Sequence, residues 1–139
     1  MRRTKPWRAG ALKLAHKKIV ALGRKWEKRL GLAQWTVSYY VYGGSMAGGA
    51  AETRWHDNYQ DAGIAIDQKW LDFDTTTDED IEINLVHELC HLLFAPMDDE
   101  MASMFGLEST VYGMYAAKRE GMCDVIAKLI VDRYKRKRD

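Results

Sequence analysis

The stretch from Thr76 to Pro96 constrains this chain more than any other, because it writes one helix with a marked start, an apolar girdle and three ionisable side chains set inside that girdle. Thr76 followed three residues later by Glu79 has capping-box spacing, and Asp78, Glu79 and Asp80 set negative charge at the positive end of the helix dipole. Ile81, Leu85, Val86, Leu89, Leu92 and Leu93 recur at helical spacing, and Pro96 disfavours helical geometry at Ala95. The pattern predicts a helix over about residues 77 to 95, with His87-Glu88-Leu89-Cys90-His91 in its second half.

Two histidines four apart on an α-helix project from one face and are able to grip one metal ion. Glu88 points about 100° away from His87, from where its carboxylate reaches a water on the metal without ligating the metal itself. Burying two imidazoles and a carboxylate among aliphatic residues without partners is costly, and a bound ion removes that cost. The expected cofactor is therefore Zn2+, with His87 and His91 as ligands and Glu88 as the general base of a metal-assisted hydrolysis. Cys90 lies off the histidine face, and with Cys123 it reads as a small buried thiol outside any disulfide framework.

A catalytic zinc normally takes three protein ligands and leaves the fourth position to water. The pattern H-E-x-x-H-x-x-G-x-x-H is excluded by Ala95, Pro96 and Met97, and no histidine follows His91, so the third ligand is expected to be a carboxylate. Glu120 is the preferred one: it stands four residues before Asp124 on a helix whose Ala116, Cys123 and Ala127 would allow close approach. Asp124 is then placed to accept a hydrogen bond from the free ring nitrogen of His87 or His91. Glu108 is the alternative ligand, on a stripe with Met101 and Tyr115. Tyr112, Tyr115 and His56 are candidate donors to a developing oxyanion.

The 139 residues suffice for one domain with a hydrophobic core, and no Pro/Gly/Ser linker divides them. The expected class is α+β: an N-terminal helix, a small antiparallel or mixed sheet of about three strands, the H-E-x-x-H helix and C-terminal helices. Leu12, Ala15, Ile19, Gly23, Trp26 and Leu30 form one stripe of a helix closed by Gly31, with His16 at its edge. Trp35, Val37, Tyr39 and Val41 alternate with polar and tyrosine positions as a half-buried strand does. The glycine-rich run from Gly43 to Gly49 lacks a phosphate-binding pattern and reads as a turn or lid. Strands follow around 50 to 55 and 62 to 67, joined by a turn at 56 to 61, and the later strand, around Ile64 to Asp67, is expected to offer an edge to an extended peptide. Residues 98 to 116 and about 118 to 134 read as helical, across Gly113 and Gly121.

Charge is segregated although the net value is only +1. Residues 1 to 30 hold eleven Lys or Arg against Glu27 alone, residues 57 to 100 hold thirteen Asp or Glu against Lys69 alone, and Arg133 to Arg138 is basic again. Solvated, partly frayed basic termini at 1 to 9 and 135 to 139 are favoured over a basic surface for nucleic acid or an acidic partner, since no nucleic-acid-binding motif accompanies the charge, and attraction between the first helix and the acidic middle is a third reading. There is no apolar run approaching 20 residues and no signal-type apolar core after the basic start, so a cytoplasmic protein without a membrane partner is expected. Oligomeric state has no signature.

Ile81 to Phe94 together with Glu120-Gly121-Met122-Cys123-Asp124-Val125-Ile126-Ala127 resembles the two halves of a gluzincin site. The second half is similar to the E-x-x-A-D/N-x-F-A stretch of ImmA/IrrE-type metallopeptidases, with Cys123 in place of the alanine and Ile126 in place of the aromatic residue. In size the chain resembles small zinc metallopeptidases carried by phages and prophages. The resemblance spans roughly residues 62 to 130 and implies a minimal zincin-like fold, peptidase activity on a peptide or protein substrate and, in the ImmA/IrrE branch, cleavage of a repressor. The rival expectation is a non-catalytic module in which zinc staples a small fold, with a nucleic-acid role through the basic termini as its variant.

Overall fold

The computed structural model describes residues 9–42, 50–56, 60–71 and 76–138; the glycine-rich run 43–49, residues 57–59 of the expected turn and the extreme basic termini lie outside them. Helix α1 (Ala9–Arg29) is followed by strands β1 (Thr36–Tyr42), β2 (Ala51–His56) and β3 (Asp61–Asp67), a short α2 (Gln68–Leu71), and the long helices α3 (Asp78–Phe105) and α4 (Thr110–Arg138). The protein is α+β, with a three-stranded mixed sheet in the order β1-β3-β2. Strand β1 runs parallel to β3 from Thr36↔Asp61 to Tyr42↔Asp67, and β2 runs antiparallel from Ala51↔Ile66 to His56↔Asp61.

Alternation fixes which face of the sheet is covered. Val37 and Tyr39 of β1 and Ala62, Ile64 and Ile66 of β3 are buried, while Ser38, Tyr40, Glu52 and Arg54 face solvent. The covered face meets Ile19 and Trp26 of α1 and Leu85, Val86, Leu89 and Leu92 of α3 in one apolar cluster. Helix α4 packs along α3 through the fully buried Cys123, Ala127 and Val131. The strand around Ile64 to Asp67, expected to lie at an edge, is the central one: its Ala62, Ile64 and Ile66 are buried on one side, and both of its backbone edges are paired. Among the described strands β1 and β2 are the edges, β1 beside α1 and β2 beside α3.

Helix α3 begins and ends elsewhere than its sequence signals suggest. The cap is Thr77, not Thr76: Thr77 Oγ1 accepts the Asp80 N–H at 3.1 Å, and the Asp80 carboxylate accepts the Thr77 N–H at 2.9 Å. Thr76 instead donates from its hydroxyl to the Trp70 carbonyl, tying α2 to the start of α3. The helix also continues through Pro96 to Phe105. Proline removes one N–H and crowds the preceding turn, but the segment beyond it is held by the Asp98 carboxylate, which accepts from the Tyr115 hydroxyl and from Arg119 Nη1 at 2.7 Å. The break falls at Gly106, whose positive φ of 82° suits glycine and whose N–H closes on the Ala102 carbonyl. Residues 98–105 thus belong to α3, and α4 runs unbroken across Gly113 and Gly121.

Candidate metal centre

Helix α3 turns His87 and His91 to one side, with ring centroids 5.1 Å apart and the rings inclined by 64°. The girdle of Leu85, Val86, Leu89 and Leu92 leaves these rings little solvent: His87 is 9 % exposed, His91 7 % and Glu88 6 %. His87, Glu88 and His91 each present a ligand-type atom within 4.8 Å of the others.

Small residues on α4 bring its acidic face against these rings. Glu120 spans both imidazoles, with Oε1 3.3 Å from His87 Nε2 and Oε2 3.0 Å from His91 Nε2. Asp124, one turn further, sits 2.7 Å from His87 Nδ1. A proton on Nδ1 facing Asp124 would leave the Nε2 lone pair for the centre. Glu108 is in the exposed turn between α3 and α4, outside the cluster.

The glutamate between the histidines is held from the sheet. Alternation along β2 turns Ala51, Thr53 and Trp55 inward, and the Thr53 hydroxyl hydrogen-bonds Glu88 Oε2. Burial pushes the Glu88 carboxyl above the usual carboxylate range, against the Thr53 hydrogen bond and the His87 charge, which pull it down. Burial also lowers His91, with Glu120 opposing. The His91 ring therefore leans toward the neutral form that binds metals. Cys90 takes no part: its thiol is fully buried and pushed up to about 11 by desolvation.

Glu88, His91 and Glu120 open onto a depression of about 320 Å³ walled by Ala51, Glu52, Thr53 and Trp55 of β2 and by Tyr112 and Arg119 of α4, while His87 and Asp124 line a separate one. Tyr112 is thus at the depression. Tyr115 is not available as an oxyanion donor, because its hydroxyl is committed to the buried Asp98. His56 is also removed from the centre: even-numbered residues of β2 face solvent, and its Nδ1 lies 3.2 Å from Asp61 Oδ1 beside Thr36, Ser38 and Tyr40. Thr53 and Arg119 join the site without having been marked in the sequence. Thr53 was open to discovery from the alternation of β2, whereas nothing local distinguishes Arg119 from the other basic residues of α4.

Two imidazole nitrogens and a carboxylate that meet on one side of a helix are a donor set suited to zinc, which accepts nitrogen and oxygen ligands in a four-coordinate arrangement. Comparison of the chain with protein-family models, with curated proteins and with solved structures finds no match.

Proposed function

We propose that this chain is a zinc-dependent metallopeptidase in which His87, His91 and Glu120 hold the ion and Glu88 is the general base. The observation that carries this reading is the meeting of both Nε2 atoms with one Glu120 carboxylate beside a second carboxylate, Glu88, that is hydrogen-bonded by Thr53. Zinc bound there supplies Lewis acidity, which lowers the pKa of water toward neutrality and polarises a carbonyl.

The residues supply the remainder. Thr53 holds Glu88 through Oε2, and the Glu88 carboxylate takes the proton from water and returns it to the leaving amine. Its raised affinity for protons suits a group that must hold one between two steps. Asp124 keeps the His87 tautomer, and Tyr112 stands at the wall where an oxyanion would need a donor. Among the described strands β2 is an edge, and it lines the depression, so an extended peptide that adds to it passes over Glu88. The half-exposed Glu120 and the adjoining depression favour an open catalytic site over a closed zinc staple. We place the chain with the small zincin-like peptidases it resembles, working in the cytoplasm; among the described residues no helix is long and apolar enough to cross a membrane.

Elemental analysis joined to cleavage of unfolded protein substrates tests this. Wild type and Glu88→Gln are expected to carry one zinc per chain, with turnover lost in Glu88→Gln, and Glu120→Ala is expected to lose the ion. Wild-type rates in Glu88→Gln would remove the general base, and full zinc retention in Glu120→Ala would remove the third ligand.

A further inference from the structure

We infer that Asp98 is a positioning residue for the metal centre: by clasping Tyr115 and Arg119 of α4 it sets the register at which Glu120 meets His87 and His91. Its functional weight rests on the metallopeptidase reading, while the clasp itself is a matter of geometry.

Asp98 lies seven residues beyond His91, two helical turns further along α3, and is only 2 % exposed. One carboxylate oxygen accepts from the Tyr115 hydroxyl and the other from Arg119 Nη1 at 2.7 Å. Arg119 immediately precedes Glu120, and Tyr115 stands one turn before it. The turn of α4 that leads into Glu120, from Tyr115 to Arg119, is therefore tied to a single point on α3. Arg119 Nε is meanwhile buried without a partner, so the guanidinium sits where it does for the sake of its other bonds.

Stability alone is a poor account of this arrangement. A buried ion pair contributes little beyond what apolar side chains of similar volume would, and the best-attested use of such pairs is to fix register. Apart from the contacts of Glu120 and Asp124 with the histidines and the half-exposed Lys135–Glu79 pair, the α3/α4 contact is apolar. Cys123, Ala127 and Val131 are small and apolar, and none of them makes a directional bond that opposes sliding or rotation of one helix on the other. A slip by one residue moves a side chain about 1.5 Å along the axis and about 100° around it. That carries Glu120 away from rings 3.0 and 3.3 Å distant. The continuation of α3 past Pro96 is what brings Asp98 to its partners.

Imidazole ¹H–¹⁵N spectra of the metal-free chain read Glu120 placement directly, with Glu120→Gln defining the signature at the His87 and His91 rings. Asp98→Asn and the near-isosteric Tyr115→Phe are expected to shift the same ring resonances in the same direction. They are also expected to weaken zinc binding by about tenfold, measured by competition with a chromophoric chelator. Val131→Ala loosens the same helix interface elsewhere, and should lower Tm while leaving both readouts unchanged. Ring resonances that ignore Asp98→Asn and Tyr115→Phe, or that respond equally to Val131→Ala, overturn the clasp. A wild-type chain that takes no zinc, with rings that respond to Tyr115→Phe, overturns the metal reading and upholds the clasp.

Discussion

The Thr53 hydroxyl and the Glu88 carboxylate meet because β2 turns its odd-numbered residues inward, and their hydrogen bond holds one oxygen of the proposed general base. Thr53→Val keeps the β-branched shape and removes the donor, leaving a buried carboxylate less well held. Cleavage is expected to fall by about tenfold or more, the value of one hydrogen bond to a charged group, with zinc content unchanged. The Thr53 bond lowers the Glu88 pKa, so its loss raises that pKa further, and the acid limb of the pH–rate profile moves to higher pH. Thr53→Ser should restore both. A loss of zinc in Thr53→Val would instead place Thr53 in support of the metal ligands. Much of this site is legible residue by residue: H-E-x-x-H fixes a helical face, and the i, i+4 pair Glu120 and Asp124 fixes another. Thr53 is legible only as an inward position of β2, and its pairing with Glu88, like that of Asp98 with Arg119, is made across 35 and 21 positions of sequence that no local pattern encodes.

At the scale of elements, α1 lies on β1 where the helix has no side chain to interfere. A Cβ at Gly23 would stand 2.3 Å from Tyr39 Cζ, and Tyr39 is buried with its hydroxyl 2.6 Å from Glu27 Oε2. Alanine normally favours a helix over glycine by about 1 kcal/mol. Here the ring has nowhere to move, so overpacking by about 1–3 kcal/mol should win and Gly23→Ala should lower Tm. Gly113→Ala in α4 meets nothing within 4 Å and is expected to raise Tm, which separates the close approach from the propensity. Denaturant melts of the two variants check both signs; a stabilised Gly23→Ala would mean that α1 does not seat on Tyr39 as described. The elements themselves follow from period and alternation, as Ile19, Gly23 and Trp26 on one face and Val37 and Tyr39 on another illustrate. Their limits do not. Pro96 is a local stop signal overridden by Asp98, and the central place of β3 depends on a pairing with β1 that is remote in sequence.

Across the whole molecule, the charge segregation seen along the chain becomes contact in space. The acidic start of α3 draws in both basic helices, with Lys18 on Asp78 at 2.7 Å, Lys25 on Glu82 at 3.3 Å and Lys135 on Glu79 at 2.5 Å. These pairs are mostly exposed and individually weak, so the fold rests on the apolar cluster that α1, the sheet and α3 share. That cluster is built from Trp26, Val37, Ile64, Ile66, Leu85 and Leu89, and it closes without any metal-binding side chain. Chelation should therefore leave a folded chain with a cooperative transition, unlike a small domain that zinc alone holds together. Zinc at 100 times its Kd adds about 2.7 kcal/mol by mass action, which for a chain of this size corresponds to a Tm higher by about 10 °C. Glu120→Ala should abolish most of that rise and Glu88→Gln should keep it, since only the first removes a ligand. Scanning calorimetry with and without a chelator measures all three, and far-UV dichroism lost on chelation at 25 °C would turn the centre from a catalytic site into a structural staple.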